Sequence, residues 1–303
     1  MALERTNKCY FVGELVEVKD HRLTSYTNKK TGAPTEAIST TIVVKCMINE
    51  EENVFSLSAF CNKINNDGST NKNYNKLVNI KELVGRRVVI SGARLVGDRF
   101  WSKQNNQLVP AQKFDFSMIR EASDKENEDK AEFEFSGFVV RELAEKTDAE
   151  GNLLYYQMTI GQATYKEDNM FMLDFIVEKD NVAAARAIEN AYPQFATVSI
   201  HGVCRNIVTT TTVQEESLFG EPIVKVYTRN DKKLVITGGD QPITGEGEYT
   251  EEHITALNKA YVAEGEAIKA KAMNADNAPA ASAATTSAPK TVNKKSALAG
   301  MFD

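Results

Sequence analysis

Phe11-Val12-Gly13-Glu14-Leu15-Val16 is echoed by Phe135-Ser136-Gly137-Phe138-Val139-Val140, and Val88-Val89-Ile90-Ser91-Gly92 by Val198-Ser199-Ile200-His201-Gly202. The segments between the echoes repeat one order. In the first copy, Tyr10–Lys19, Ile38–Met47 and Asn53–Phe60 are β-rich. Asn71–Leu83 follows with Leu77, Ile80 and Leu83 at helical spacing, and then Gly85–Leu95 and Lys113–Ile119 are β-rich again. Thr24–Pro34 is polar, carries a Thr-Gly turn signal and reads as a loop. In the second copy, Leu153–Gly161 and Met170–Val177 follow the first strand. Asn181–Tyr192 reads as a short helix stopped by Pro193, and Ile223–Thr228 and Leu234–Thr237 come after the fourth strand. A chain patterned this way is constrained to build one small β unit twice.

Three strands, a helix and two strands is the order of the OB-fold, a five-stranded Greek-key barrel. The predicted fold is therefore mainly β. Two tandem OB-fold barrels, residues 1–120 and 132–240, are joined by an acidic linker, residues 121–131. Glycines early in strand one and inside strand four suit the bends of a barrel. Residues 241–273 give a loop and an amphipathic helix, with Ile254, Leu257, Tyr261 and Ile268 on the face that packs against the second barrel; Gly265 weakens that helix. Residues 274–303 form a tail. Its Ala, Ser, Thr, Pro and Asn cannot bury enough surface to fold, so the tail is expected to be disordered, and it returns to apolar Leu298, Met301 and Phe302 at its tip.

The formal net charge of −6 is unevenly spread. Residues 1–120 carry 18 Lys+Arg against 12 Asp+Glu, and residues 132–240 carry 10 against 17. A basic first copy beside an acidic second one points to polyanion binding by the first and to weak or no such binding by the second. No run of about 18 apolar residues suggests a membrane span. No secretory leader is visible, and Cys9, Cys46, Cys61 and Cys204 fall in no metal-binding or disulfide pattern, so a reducing cytoplasm is expected. GxxxxGK[ST], GxSxG and HExxH are all missing. Asp20-His21 lie side by side in a strand and point to opposite faces, and Glu50-Glu51-Glu52 reads as a solvated turn. No enzymatic role, cofactor or metal is expected.

Binding has candidates. Along Val54–Phe60 the alternation puts Phe55, Leu57 and Ala59 in the core and Val54, Ser56, Ser58 and Phe60 on an open face. An aromatic on a serine-rich face is a stacking platform. Lys63 follows it, Lys45 lies on the second strand, and Arg87 and Arg94 lie on or just after the fourth. Trp101, the one tryptophan, sits in the hairpin between strands four and five, whose tip is Asn105-Asn106. Arg99 and Lys103 flank it, so the indole can take a base while the cations meet phosphates. The loop between strands one and two offers Tyr26, Lys29, Lys30 and Gly32.

In these residues the chain resembles the bacterial-type single-stranded DNA-binding proteins. Phe11-Val12-Gly13-Glu14-Leu15, Val54–Lys63, Gly85–Gly92 and Arg99–Lys103 resemble that family's first, third and fourth strands and its hairpin, over about residues 8–120. The resemblance implies that Phe60 and Trp101 stack on bases; Val54 stands where the family has one further aromatic, and Val43 or a neighbour where it has another. It also implies a tail tip that recruits replication, recombination or repair proteins, here through Leu298, Met301 and Phe302, without the family's acidic run. Two OB-folds in one chain imply a homo-oligomer of fewer subunits than the family's tetramer, and the arrangement is similar to a replication protein of a bacterial virus. Two other classes of function fit part of the pattern. One is a structural protein that uses OB barrels as scaffolding; the other is an RNA-binding chaperone, since stacking alone does not distinguish the sugar.

Overall fold

A computed structural model describes residues 5–27, 32, 34–65, 67–215 and 223–277. The first copy folds as β1 (Asn7–Thr27), β2 (Pro34–Ile48), β3 (Glu51–Asn62), α1 (Lys72–Val78), a 3-10 turn (Ile80–Leu83), β4 (Arg87–Ser102) and β5 (Gln107–Asp115). β1 pairs with β2, β2 with β3, β3 in parallel with β5, β5 with β4, and β4 with β1. That circuit closes the OB-fold barrel. A short β6 (Met118–Glu121) adds to the outer side of β4.

The second copy repeats the circuit. Its elements are β7 (Lys130–Thr147), β8 (Leu153–Ala163), β9 (Met170–Glu178), α2 (Val182–Ala191), β10 (Thr197–Glu215) and β11 (Ile223–Gly239). The pairs are β7–β8, β8–β9, β9–β11 in parallel, β11–β10 and β10–β7. The echo between the copies has a physical cause. A side chain at Gly13 would strike the Lys45 carbonyl of β2, and one at Gly137 would strike the Gly161 carbonyl of β8. In both barrels the second strand crosses the first too closely for a Cβ.

Aromatic rings fill both barrels in the same way. Phe11 packs 5.1 Å from Phe55 and 5.2 Å from Phe114, and Phe135 packs 5.1 Å from Phe175. The two barrels are not beads on a string. β1 pairs with β7 from Asn7↔Phe135 to Val12↔Lys130, so one sheet runs through both, and buried side chains of both copies form one continuous cluster. All four cysteines are buried thiols in that interior.

Three elements differ from the sequence reading. β1 continues to Thr27 through residues assigned to a loop, and β11 runs unbroken where two short strands were expected. Both are exposed ribbon arms held by backbone ladders rather than by apolar alternation. The third is α3 (Glu251–Asn277). Ile254 and Leu257 are buried with Phe138 and Met170 of the second copy and with Tyr249 of the loop before the helix, as its apolar face predicts. Its C-terminal half instead lies on the β4–β5 hairpin of the first. Gly265 is buried there, and a Cβ on it would stand 3.0 Å from Leu108 and 3.1 Å from Arg99. The residue that weakens the helix is the one that lets it dock. Leucine raises helix propensity over glycine by roughly 0.5–1 kcal/mol, so propensity alone would make Gly265→Leu stabilising. We expect the reverse: the helix is levered off the hairpin, and Trp101 emission moves to longer wavelength. Unchanged emission would show that the contact is not needed. No helix among the described residues is long and apolar enough to cross a membrane.

Candidate nucleic-acid interface

β3 alternates as its sequence predicts: Phe55, Leu57 and Ala59 are buried, while Ser56, Ser58 and Phe60 are exposed. Phe60 is 65% exposed. The register shows what surrounds it. Phe60 faces Ser39 on β2, and Ser39 faces Arg22 on β1. The Tyr26 hydroxyl donates to Asn62 Oδ1 at 2.7 Å, which fixes a second, partly open ring beside Phe60. One step along, the Thr41 and Ser58 hydroxyls lie 3.2 Å apart, and Ser58 is in register with Asp115 and Asp115 with Arg94. A polar surface thus crosses β2, β3, β5 and β4 with an aromatic standing on it. Arg22 belongs to this surface, although the polar stretch around it hid the strand that carries it.

The far end of the face is shut. The Asn206 N–H on β10 donates to Asn53 Oδ1 at 2.8 Å, and its side-chain amide donates to the Val54 carbonyl. Val43 is buried, and Lys45 is half-buried at 3.2 Å from Glu14. The usable surface is the Phe60 half.

Among the expected cations, Lys45, Lys63, Arg87, Arg94 and Arg99 lie against carboxylates of the described residues. Lys63 lies 2.8 Å from Glu36, and its hydrogen bond holds the Glu36 carboxyl below the usual range. Arg94 lies 3.5 Å from Asp115. These two pairs are well exposed, and such pairs contribute only about 0–1 kcal/mol. A phosphate can replace the carboxylate at little cost.

Arg87 and Arg99 are different. The Arg87 guanidinium pairs with Asp129, and its Nε donates to the Glu126 carbonyl at 2.8 Å. Asp129 also accepts the Met47 N–H at 2.6 Å. Glu126 binds Arg120, accepts from the Ser123 N–H and hydroxyl, and is held well below the usual carboxylate range, chiefly by Arg120. The acidic segment expected to link the two copies is docked on the first barrel and occupies Arg87. Arg99 has only 10% of its side chain exposed. It lies 2.7 Å from Glu264, donates to the Tyr261 carbonyl at 2.9 Å and stacks 3.4 Å from the Tyr261 ring. Segments distant in sequence engage both guanidinium groups, and Arg99 is largely covered by α3.

Trp101 lies in the hairpin arm as expected, opposite Leu108, with Lys103 exposed at the turn. It is not an open indole. The ring is half-buried, with Lys269 of α3 lying 5.5 Å over it. Lys29, Lys30 and the tip residues Leu298, Met301 and Phe302 lie outside the described residues.

The corresponding face of the second barrel is occupied. Thr159 donates to Asp174 at 2.6 Å, Ile176 is buried, and a side chain at Gly97 of the first hairpin would strike Phe171 and stand 3.2 Å from the Met172 carbonyl. The arm of the first barrel lies against β9 where an OB-fold ligand would sit. Among the described residues no cluster of His, Cys, Asp or Glu could hold a metal.

The chain belongs to the YorF family, whose model matches residues 6–274. No curated protein matches it. Among solved structures it is similar to the single-stranded DNA-binding protein of Thermus aquaticus, at 8% identity and a TM-score of 0.47, over 82% of this chain and 98% of that one. It is also similar to the small single-stranded DNA-binding protein of Streptomyces coelicolor, at 14% identity and a TM-score of 0.22, over 39% of this chain and 97% of that one. A replication protein A heterotrimer bound to single-stranded DNA matches at 10% identity and a TM-score of 0.21, over 86% of this chain and 53% of that one.

Proposed function

We propose that the protein binds single-stranded DNA without sequence preference along the outer face of the first barrel. Phe60 carries this reading: a phenylalanine 65% exposed on a flat serine- and threonine-lined surface. A base stacked on it gains about 1–3 kcal/mol, and every base has a face to offer. Lys63, Arg94 and Lys103 supply charge at its margins. The protein acts by binding rather than catalysis. It shields single strands during replication, recombination or repair in a cytoplasm, the host's if the source is a virus. A tip formed by Leu298, Met301 and Phe302 recruits partners, and copies of the chain associate. The second barrel contributes little to DNA affinity, since its face is covered and its charge is negative.

Fluorescence anisotropy of the full chain with labelled oligo(dT), the same sequence as duplex, and oligo(U) tests the reading. Single-stranded DNA should bind tightest. Contacts with three or four phosphates should give a slope of log K against log [salt] of roughly −2 to −3. Tighter binding to duplex, or a slope near zero, would reject it.

A further inference from the structure

We infer that Phe100, not Trp101, is the ring that the hairpin arm offers to a base; the inference rests on the single-strand-binding reading above. The register of β4 against β5 is unbroken from Arg94↔Asp115 to Ser102↔Gln107. Side chains therefore alternate strictly along the arm. Leu95, Gly97, Arg99 and Trp101 share one side, and Arg94, Val96, Asp98 and Phe100 share the other.

Every position on the first side is taken. Leu95 is in the barrel core, Gly97 abuts Phe171 and Met172, Arg99 is locked to Glu264 and Tyr261, and Trp101 lies under Lys269. The second side continues the surface that bears Phe60, because Arg94 and Asp115 stand in the row of Ser58 and Thr41. Phe100 is 52% exposed on it.

The spacing suits a strand of DNA. Phe60 lies two residues to one side of the Ser58–Asp115 row, and Phe100 with its partner Val109 lies six to the other. Eight steps at about 3.3 Å give roughly 26 Å along the strands. Between the rings lie Arg94 and Lys113, the latter 2.5 Å from Asp98 in an exposed pair. The order is ring, cation, cation, ring, with two weakly paired cations placed to meet phosphates. A track of that length falls within the site sizes of single OB-folds, about 4–16 nucleotides.

Trp101 then has another place. With Arg99 and Leu108 it lies on the side of the arm that α3 covers, away from Phe100.

The test compares Phe100→Ala, Phe100→Tyr and Trp101→Ala in the full chain, by anisotropy with oligo(dT) and by Trp101 emission. Phe100→Ala should weaken binding about five-fold or more at an unchanged melting temperature, and Phe100→Tyr should restore it. Trp101→Ala should bind within about two-fold of wild type, and saturating oligo(dT) should leave Trp101 emission nearly unchanged in wild type. If wild type binds while Phe100→Ala binds equally well, or if oligo(dT) strongly quenches Trp101, this inference is overturned and the binding function stands. If wild type does not bind, the function falls and takes the inference with it.

Discussion

Phe60→Ala is expected to weaken binding to oligo(dT) by about 1–3 kcal/mol, roughly 5- to 150-fold, while the melting temperature barely moves. The two halves of this expectation come from one observation. A ring 65% exposed loses little burial when it is removed, and substitutions at such positions usually change stability by less than about 0.5 kcal/mol. Its neighbours Ser39 and Arg22 are polar and keep their backbone ladders, and the Tyr26–Asn62 hydrogen bond does not involve it. Phe55, five residues earlier on the opposite face, is the control. It is 1% exposed and packs on Phe11 and Phe114, so Phe55→Ala should cost about 3–5 kcal/mol of stability. Anisotropy and thermal melts of the two variants separate surface from core on one strand. Equal affinity of Phe60→Ala and wild type would remove the central support for a stacking interface.

The parts of this structure that were legible in the sequence are those decided by neighbours along the chain. Alternation along β3 sorted Phe55, Leu57 and Ala59 from Ser56, Ser58 and Phe60, because each strand residue must choose between water and one core. The doubled order of strands and helix was visible for the same reason. The side of the hairpin arm that stays open was not legible. Phe100 and Trp101 are adjacent aromatics, and either could be the outer one until α3 is in place. What decides is a helix some 160 residues away, through contacts such as Arg99 with Glu264. Arg87 is decided in the same manner, since nothing local shows that Asp129 folds back to it. The excess of cations in the first copy is present, but Glu14, Glu36, Asp115, Asp129 and Glu264 reach most of the candidates. Charge counting shows the sum over a segment and not the pairing. Strand ends without apolar alternation, such as Arg22–Thr27, left no signal either, because hydrogen-bond ladders can form between polar residues of any order.

Phe133→Ala is expected to destabilise both barrels at once, by about 3–5 kcal/mol. Phe133 is 2% exposed on β7, the strand that joins the copies. Its backbone pairs with Cys9 of β1 on one side and Gly202 of β10 on the other, and its ring lies 5.5 Å from Phe175. A cavity there opens at the meeting point of the shared sheet and the shared core, so neither barrel keeps its packing while the other loses it. For a chain of this size each kcal/mol lowers the melting temperature by about 2–4 °C, which puts the fall at roughly 6–20 °C. Trp101 makes the cooperativity measurable, because it reports the hairpin of the first barrel while far-ultraviolet circular dichroism reports all strands. One transition, at the same lowered temperature by both signals, is the expected result. If Trp101 emission held its native value through a first step in the dichroism, the barrels would be independent units, and the β1–β7 ladder would be a contact between them rather than part of one folding unit.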